Sequence, residues 1–220
     1  MNNMINALNR HYATKRFDTN KKLSQDNVNI LLEAARLSPS SFGLQPWRGI
    51  HVINPETRKQ LQEHSRGQTQ ITEASDLLVI AVKTNLQASD VEEYIQSMKE
   101  IRSQDLDKLP EDAKSIEKLM EYKNMMIGTI ESKTQEQIKG WNQKQAYIVL
   151  WVLLAVCANL EIDACPMEGF DIDKYNEILW LNKLWLTATV VITLGYRSSE
   201  DKYAHLTKVR YSKEKLIIQK

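Results

Sequence analysis

The chain has 220 residues, 42% hydrophobic and 26% charged, with a formal net charge of +1. This content predicts one domain built on one substantial core or two smaller ones sharing it. The near-zero charge excludes a general electrostatic pull toward nucleic acid or an acidic membrane, so any anion site must be a local cluster. Cys157 and Cys165 lack both CxxC spacing and a His-rich neighbourhood, which supports neither a disulfide framework nor a zinc site.

The first residues, MNNMINALNRHYATKRF, contain no apolar export core and no small-residue cleavage signal, so they read as part of the mature protein, with the cytoplasm as the expected compartment. Ser24 is the expected N-cap of a helix over Gln25 to Leu37, with Val28, Leu31, Leu32 and Ala35 on one face and Pro39 forcing the exit. Gly49 to Ile53 reads as a short strand. Leu77 to Val82 (LLVIAV) and Thr187 to Leu194 (TATVVITL) read as strands covered on both faces. Between them, residues 88–140 turn polar at helical spacing, with interruptions at Pro110 and Gly128. This stretch predicts a helical excursion with a mobile or partner-facing role in preference to a core role. The apolar run from Ala146 to Leu160 falls short of the roughly 18 to 20 residues that cross a bilayer. It predicts a helix buried on nearly all sides. No repeat, low-complexity tract or Gly/Ser linker divides the chain.

Three clusters have the residue types that chemistry needs. Arg10, His11, Lys15 and Arg16 could join Lys208 and Arg210 in a phosphate site, where Arg offers a planar fork and Lys a point charge; alternating Lys and Arg also decorate ordinary solvated faces. In LSPSSFGLQPW (37–47), Ser40 and Ser41 offer hydroxyls and backbone N–H groups beside Gly43. No GxSxG elbow surrounds them, so the loop reads as a binder and not as a nucleophile holder, with a plain turn and a core Trp47 as the alternative. In ACPMEGF (164–170), Gly169 permits close approach of a flat ligand and Pro166 stiffens the chain before it, although Glu168-Gly169 also suits an ordinary turn.

Taken in order, RHYATKRFD at 10–18, LSPSSFGLQPW at 37–47, GQTQITEASDLLVIAVK at 67–83, KQAYIVL through ACPMEGF at 144–170, LGYR at 194–197 and KVR at 208–210 resemble the FMN-dependent nitroreductase family, in its oxygen-insensitive NAD(P)H nitroreductase and dihydropteridine reductase branch. The resemblance covers nearly the whole chain. It implies an α+β sandwich around a mostly antiparallel sheet, and a homodimer in which the C-terminal extension crosses to the partner and two FMN sites lie at the interface. By the same resemblance Arg10, His11, Tyr12, Lys15, Lys208 and Arg210 surround the FMN phosphate or pyrimidine edge. Pro39, Ser40 and Ser41 approach from the other subunit, Gln68 and Gln70 contact the ring or ribityl chain, and Pro166, Met167, Glu168 and Gly169 lie along the isoalloxazine. Lys15 stands near N1 and O2, where positive charge favours the reduced flavin. Three departures from the family pattern stand out, one being that the segment from Leu179 to Leu186 (LWLNKLWL) is short compared with many relatives. Arg10 is seven residues before Phe17 where six is usual, so Arg10 or His11 takes the first position, and Gly67 stands where an Asn is common.

The implied chemistry is ping-pong transfer of two electrons: NADH or NADPH reduces the flavin at N5, leaves, and a nitroaromatic, quinone or related flat acceptor takes its place. No side chain is required as an acid or base, since positioning over one face of the flavin suffices. Phe42, Tyr122 and the Met125-Met126 pair are candidates to line the acceptor slot, with interface packing as the alternative. A dihydropteridine or enal/enone reductase on the same fold, and a protein that binds FMN or a nucleotide without turnover, stay open. No metal is expected. The absence of a Rossmann fingerprint leaves NADH and NADPH equal.

Overall fold

The computed structural model describes residues 3–102 and 116–220. Its centre is a four-stranded sheet in the order β1-β2-β4-β3, where β1 is Trp47–His51, β2 Asp76–Lys83, β3 Asp163–Met167 and β4 Leu186–Gly195. Every neighbouring pair is antiparallel. The runs 77–82 and 187–194 are the two central strands; both are buried because helices cover both faces, the first wholly apolar and the second β-branched with three Thr. Side chains alternate across β2: Leu78, Ile80 and Val82 enter one core with helices α2 (Gln25–Arg36) and α7 (Gln135–Asn159). Leu77, Val79 and Ala81 enter a second core on the opposite face, with α3 (Pro55–Glu63), α4 (Gln70–Glu73) and α8 (Ile172–Ile178).

Helix α2 begins where Ser24 predicts, with the Asn27 amide donating to the Ser24 hydroxyl at 3.2 Å. Val28, Leu31 and Ala35 are buried, but Leu32 is 38% exposed, so the apolar face is narrower than expected. The strand expected at 49–53 starts two residues earlier, at Trp47, because its register is set by pairing with Val82. β3 has no counterpart among the expected strands. Its Pro166 is tolerated because β3 is the last strand of the sheet, where a missing N–H costs no ladder bond. The outer side of β3 is closed by the N-terminal segment: Ala13 bridges Ala164, and the Thr14 amide donates to the Ala164 carbonyl at 3.2 Å.

Two expectations about the helices need correction. The excursion carries a core of its own, in which Leu86, Val91, Ile95, Met126, Ile130 and Ile138 are buried between α5 (Ala88–Arg102), α6 (Ile116–Glu131) and the start of α7. Gly128 does not interrupt it but lies inside α6, where neighbouring apolar packing outweighs a propensity cost of about 1 kcal/mol. Pro110 lies outside the described residues. Helix α7 continues from the excursion into the main core under a Thr134 capping box. It is not buried on nearly all sides, since Tyr147 and Trp151, one turn apart, stand 39% and 58% exposed. No helix among the described residues is long and apolar enough to cross a membrane.

Candidate functional site

The two basic ends of the chain meet. Arg10 closes helix α1 (Asn3–Arg10), and its guanidinium donates to the Ala158 carbonyl at the end of α7 at 3.2 Å. The Lys208 ammonium donates to the Leu8 carbonyl. Arg197, just past β4, holds Asp163 through its backbone amide at 2.8 Å and its Nε at 2.9 Å, and its guanidinium lies 4.6 Å from the centre of the Tyr12 ring. His11 stands among these cations. Burial first, then the charges of Lys208, Arg10 and Arg197 against the opposing pull of Asp163, push its pKa down to about 4. Its Nε2 is buried and has no hydrogen-bond partner among the described residues.

A buried orphan nitrogen ringed by positive charge is what an anion would satisfy, since each lost hydrogen bond at a buried polar atom costs about 1–3 kcal/mol. The donor set of guanidinium, ammonium and imidazole suits a phosphate. Arg210, by contrast, is exposed, and among the described residues its guanidinium donates to the carbonyl of Val209 beside it. It still acts on the cluster, because burial and then its positive charge lower the Lys208 pKa.

From this cluster the N-terminal segment runs along β3 and delivers Lys15 to the Cys165 thiol, 3.7 Å from its ammonium. Burial pushes the Cys165 thiol up, against the smaller opposing effects of Lys15 and Gln70, which both act to lower its pKa. Just beyond β3, the Gln68 amide donates to the Gly169 carbonyl at 3.2 Å, and the Tyr147 hydroxyl donates to Glu168 at 2.6 Å. Burial and that carboxylate raise Tyr147 to about 12. β3 and the turn after it therefore gather Lys15, Gln68, Gln70, Glu168 and Gly169 from three separate stretches of chain. The Met167 side chain is 6% exposed and packs in the second core, so its backbone is what it can present to a ligand. Gly67 has φ +66, a left-handed conformation that Gly and Asn both favour, which explains why either residue fits there.

The loop after α2 forms a separate wall. Ser41 is exposed, and its amide donates to the Gln145 side chain on α7 at 2.9 Å. Ser40 accepts from the Gln45 amide at 3.0 Å. Phe42 packs edge-on against Tyr122 at 6.3 Å and Trp141 at 5.8 Å, and the Tyr122 hydroxyl donates to the Phe42 carbonyl at 3.4 Å. All three rings rest on the excursion's core. Met125 is 46% exposed, whereas Met126 is fully buried and cannot line a slot. Among the described residues, no hydrogen bond joins Pro39, Ser40 or Ser41 to the basic cluster. One cleft of about 330 Å³ lies beside the loop, between Gln45, Arg48, Tyr94 and Arg102, and another of about 400 Å³ lies by Asn85, Asp90 and Trp185. Neither includes the basic cluster or the end of β3.

Sequence reasoning missed Tyr147, Arg197, Asp163 and Asp201. Tyr147 was detectable as the one hydroxyl in an apolar run and Arg197 as the last residue of LGYR; Asp163 is a lone charge between Ile162 and Ala164, and Asp201 sits among polar neighbours that carry no pattern.

Comparison with known proteins gives a consistent result. The sequence profile of the Nitroreductase family matches residues 8–196. A protein of Staphylococcus haemolyticus, provisionally named an NAD(P)H nitroreductase, is 35% identical over 220 residues, covering 97% of this chain and 95% of its own. YfkO of Bacillus subtilis, named in the same provisional way, is 34% identical over 207 residues, covering 90% of each. A provisionally assigned nitroreductase from Exiguobacterium sibiricum, solved in complex with FMN, superposes with a TM-score of 0.81 at 18% identity, over 100% of this chain and 98% of that one.

Proposed function

Because this chain belongs to the nitroreductase family, we propose that it is an FMN-dependent NAD(P)H oxidoreductase that passes two electrons, in a ping-pong sequence, from a nicotinamide to nitroaromatics, quinones or related flat acceptors. The observation that carries this reading is the orphaned, buried His11 Nε2 among Arg10, Lys208 and Arg197, a cradle that fits the phosphate of FMN. When bound, FMN supplies the two-electron chemistry, and NADH or NADPH is the donor.

The chain's own residues then have distinct tasks. Arg10, His11, Lys208 and Arg210 hold the phosphate. Asp163 keeps Arg197 in place and so fixes the cationic field around His11. Lys15 puts a positive charge beside the pyrimidine edge of the ring, where it favours the reduced form. Gln68 and Gln70 present amides, and the backbone of Pro166 through Gly169 offers a flat approach. Arg10, His11 and Lys208 are half-buried, which strengthens their charge-assisted contacts relative to the exposed Arg210.

In this reading Pro39, Ser40 and Ser41 serve the site of a second copy, which accounts for their separation from the basic cluster within one chain. Exposure supports the homodimer. Beyond residue 208 the chain shows Val209, Tyr211, Leu216, Ile217 and Ile218 at 56–84% exposure, and Trp151 stands 58% exposed on α7. Apolar surface of this extent marks an interface, here with the C-terminal extension exchanged between copies. Phe42 and Tyr122 line the acceptor slot from the loop side, and the enzyme works in the cytoplasm on small molecules.

The test is anaerobic titration of the yellow FMN-loaded protein with NADH and NADPH, which should bleach it with at least one of them, followed by reoxidation with a panel of acceptors. A colour that persists with both nicotinamides rejects the reductase reading. Light scattering should give twice the chain mass of 25.5 kDa, and a stable monomer with bound FMN would contradict the shared site.

A further inference from the structure

Asp201 lies in the turn after β4, is 1% exposed, and forms no ion pair among the described residues. Its charge is met by donors instead. Oδ2 accepts from the Lys15 amide at 2.7 Å, the Arg16 amide at 3.2 Å and the Tyr12 hydroxyl at 2.9 Å, while Oδ1 accepts from the Tyr203 amide at 2.9 Å. Burial alone would raise its pKa, but these hydrogen bonds outweigh burial and hold the carboxyl below the usual range. Burial and Asp201 together push Tyr12 up to about 12. A desolvated carboxylate in the centre of four donors has one arrangement that satisfies all of them, so it fixes the groups around it as firmly as they fix it.

The two amides it grips belong to consecutive residues, and the side chain rooted between them is Lys15. With its backbone pinned, Lys15 directs its ammonium to the Cys165 thiol in the middle of β3 and makes no ion pair among the described residues. A thiol is a weak acceptor, so the ammonium keeps most of its charge available to a ligand.

We infer that Asp201 is the positioning residue for Lys15: by holding the Lys15 and Arg16 amides it sets where that ammonium stands beside the ring of the bound cofactor, and through it the reduction potential. This rests on the FMN reading above. Two effects of removing the Asp201 charge have opposite signs. Loss of a nearby negative charge would by itself favour the reduced, more negative cofactor and raise the potential. Release of Lys15 takes away a positive charge and lowers it.

The experiment is a double-mutant cycle on the FMN-loaded protein, with Asp201→Asn, Lys15→Met and both together, and the potential measured by equilibration with a reference dye. The inference expects Asp201→Asn to lower the two-electron potential by about 30 mV, equivalent to about tenfold in the equilibrium constant. It expects no further fall when the substitution is made on top of Lys15→Met. A potential that rises or stays fixed in Asp201→Asn, or falls equally in the Lys15→Met background, overturns it. Should a variant not retain FMN, the same cycle is read in FMN dissociation constants, with loss of the Asp201 effect in the Lys15→Met background as the criterion. Asp201→Ser, whose smaller side chain leaves room for a water to accept from the same amides, replaces Asp201→Asn if the latter does not fold. Failure of wild type itself to bind FMN would count against the proposed function and not against this coupling alone.

Discussion

Residues 10–17 are held by partners far along the chain, whereas the loop at 39–47 largely holds itself. Arg10 reaches Ala158, Lys15 and Arg16 are gripped by Asp201, and Lys208 returns to Leu8 across 200 positions. In the loop, Gly43 donates to the Ser40 carbonyl at 2.9 Å, Leu44 to the Ser41 carbonyl at 3.2 Å, and the Gln45 side chain to the Gly43 carbonyl at 3.2 Å. Left-handed φ values at Phe42 (57°), Gly43 (77°) and Gln45 (45°) give it its shape. The contrast separates two ways of preparing a site. One places charges by tertiary closure and is sensitive to charge and pH; the other places ring edges and amides by backbone geometry and is sensitive to sterics.

The largest test of the first region is Lys208→Ala combined with Arg210→Ala. Each charge-assisted contact is worth about 1.5–3 kcal/mol, so equilibrium dialysis should show FMN affinity falling by at least a hundredfold. Unchanged affinity would detach the C-terminal cations from the phosphate site.

A second effect tests the same region through pH. The unfolded chain protonates His11 near 6.5, while the folded chain resists until about 4. Between these values the unfolded state binds more protons, so the stability of the apoprotein rises with pH across this window and is lost as pH falls from 6.5 toward 4. The upper limit of the effect is about 3 kcal/mol. Thermal melts of the apoprotein at intervals of pH should show this slope, and His11→Gln should flatten it. If the slope persists in that variant, the proton is taken up elsewhere.

The smallest effect belongs to the second region. A Cβ on Gly43 would lie 2.3 Å from the Tyr94 hydroxyl at a φ of +77°, so Gly43→Ala should cost about 1–3 kcal/mol in denaturant unfolding. Gly67→Ala has the same left-handed φ but open space around it, and should cost less. If Gly43→Ala costs no more than Gly67→Ala, the loop is less rigid than its hydrogen bonds imply.

The central strands were legible in the sequence because burial on both faces leaves an unbroken apolar run, and Ser24 was legible because a cap acts on amides two or three residues away. β3 was not, since its strand character comes from pairing with β4 and its Pro166 reads as a breaker. Gly128 was misleading for the reverse reason: packing in the excursion decides the helix, and local propensity does not. Of the candidate site, the basic residues and the ACPMEGF turn could be singled out by residue type, and so could the serines, which within one chain stand apart from them. Asp201 could not, because RSSEDKY is an ordinary polar turn until the fold brings residues 12–16 onto it.

The closure that joins the two ends also sets an order of events during synthesis. A chain leaving the ribosome N-terminus first carries residues 10–17 long before Asp201 and Lys208 exist. Ala13 has no β3 edge to lie along until Ala164 has been made. The cluster of cations around His11 is incomplete until Lys208 has been made, some two hundred residues after the segment it closes on.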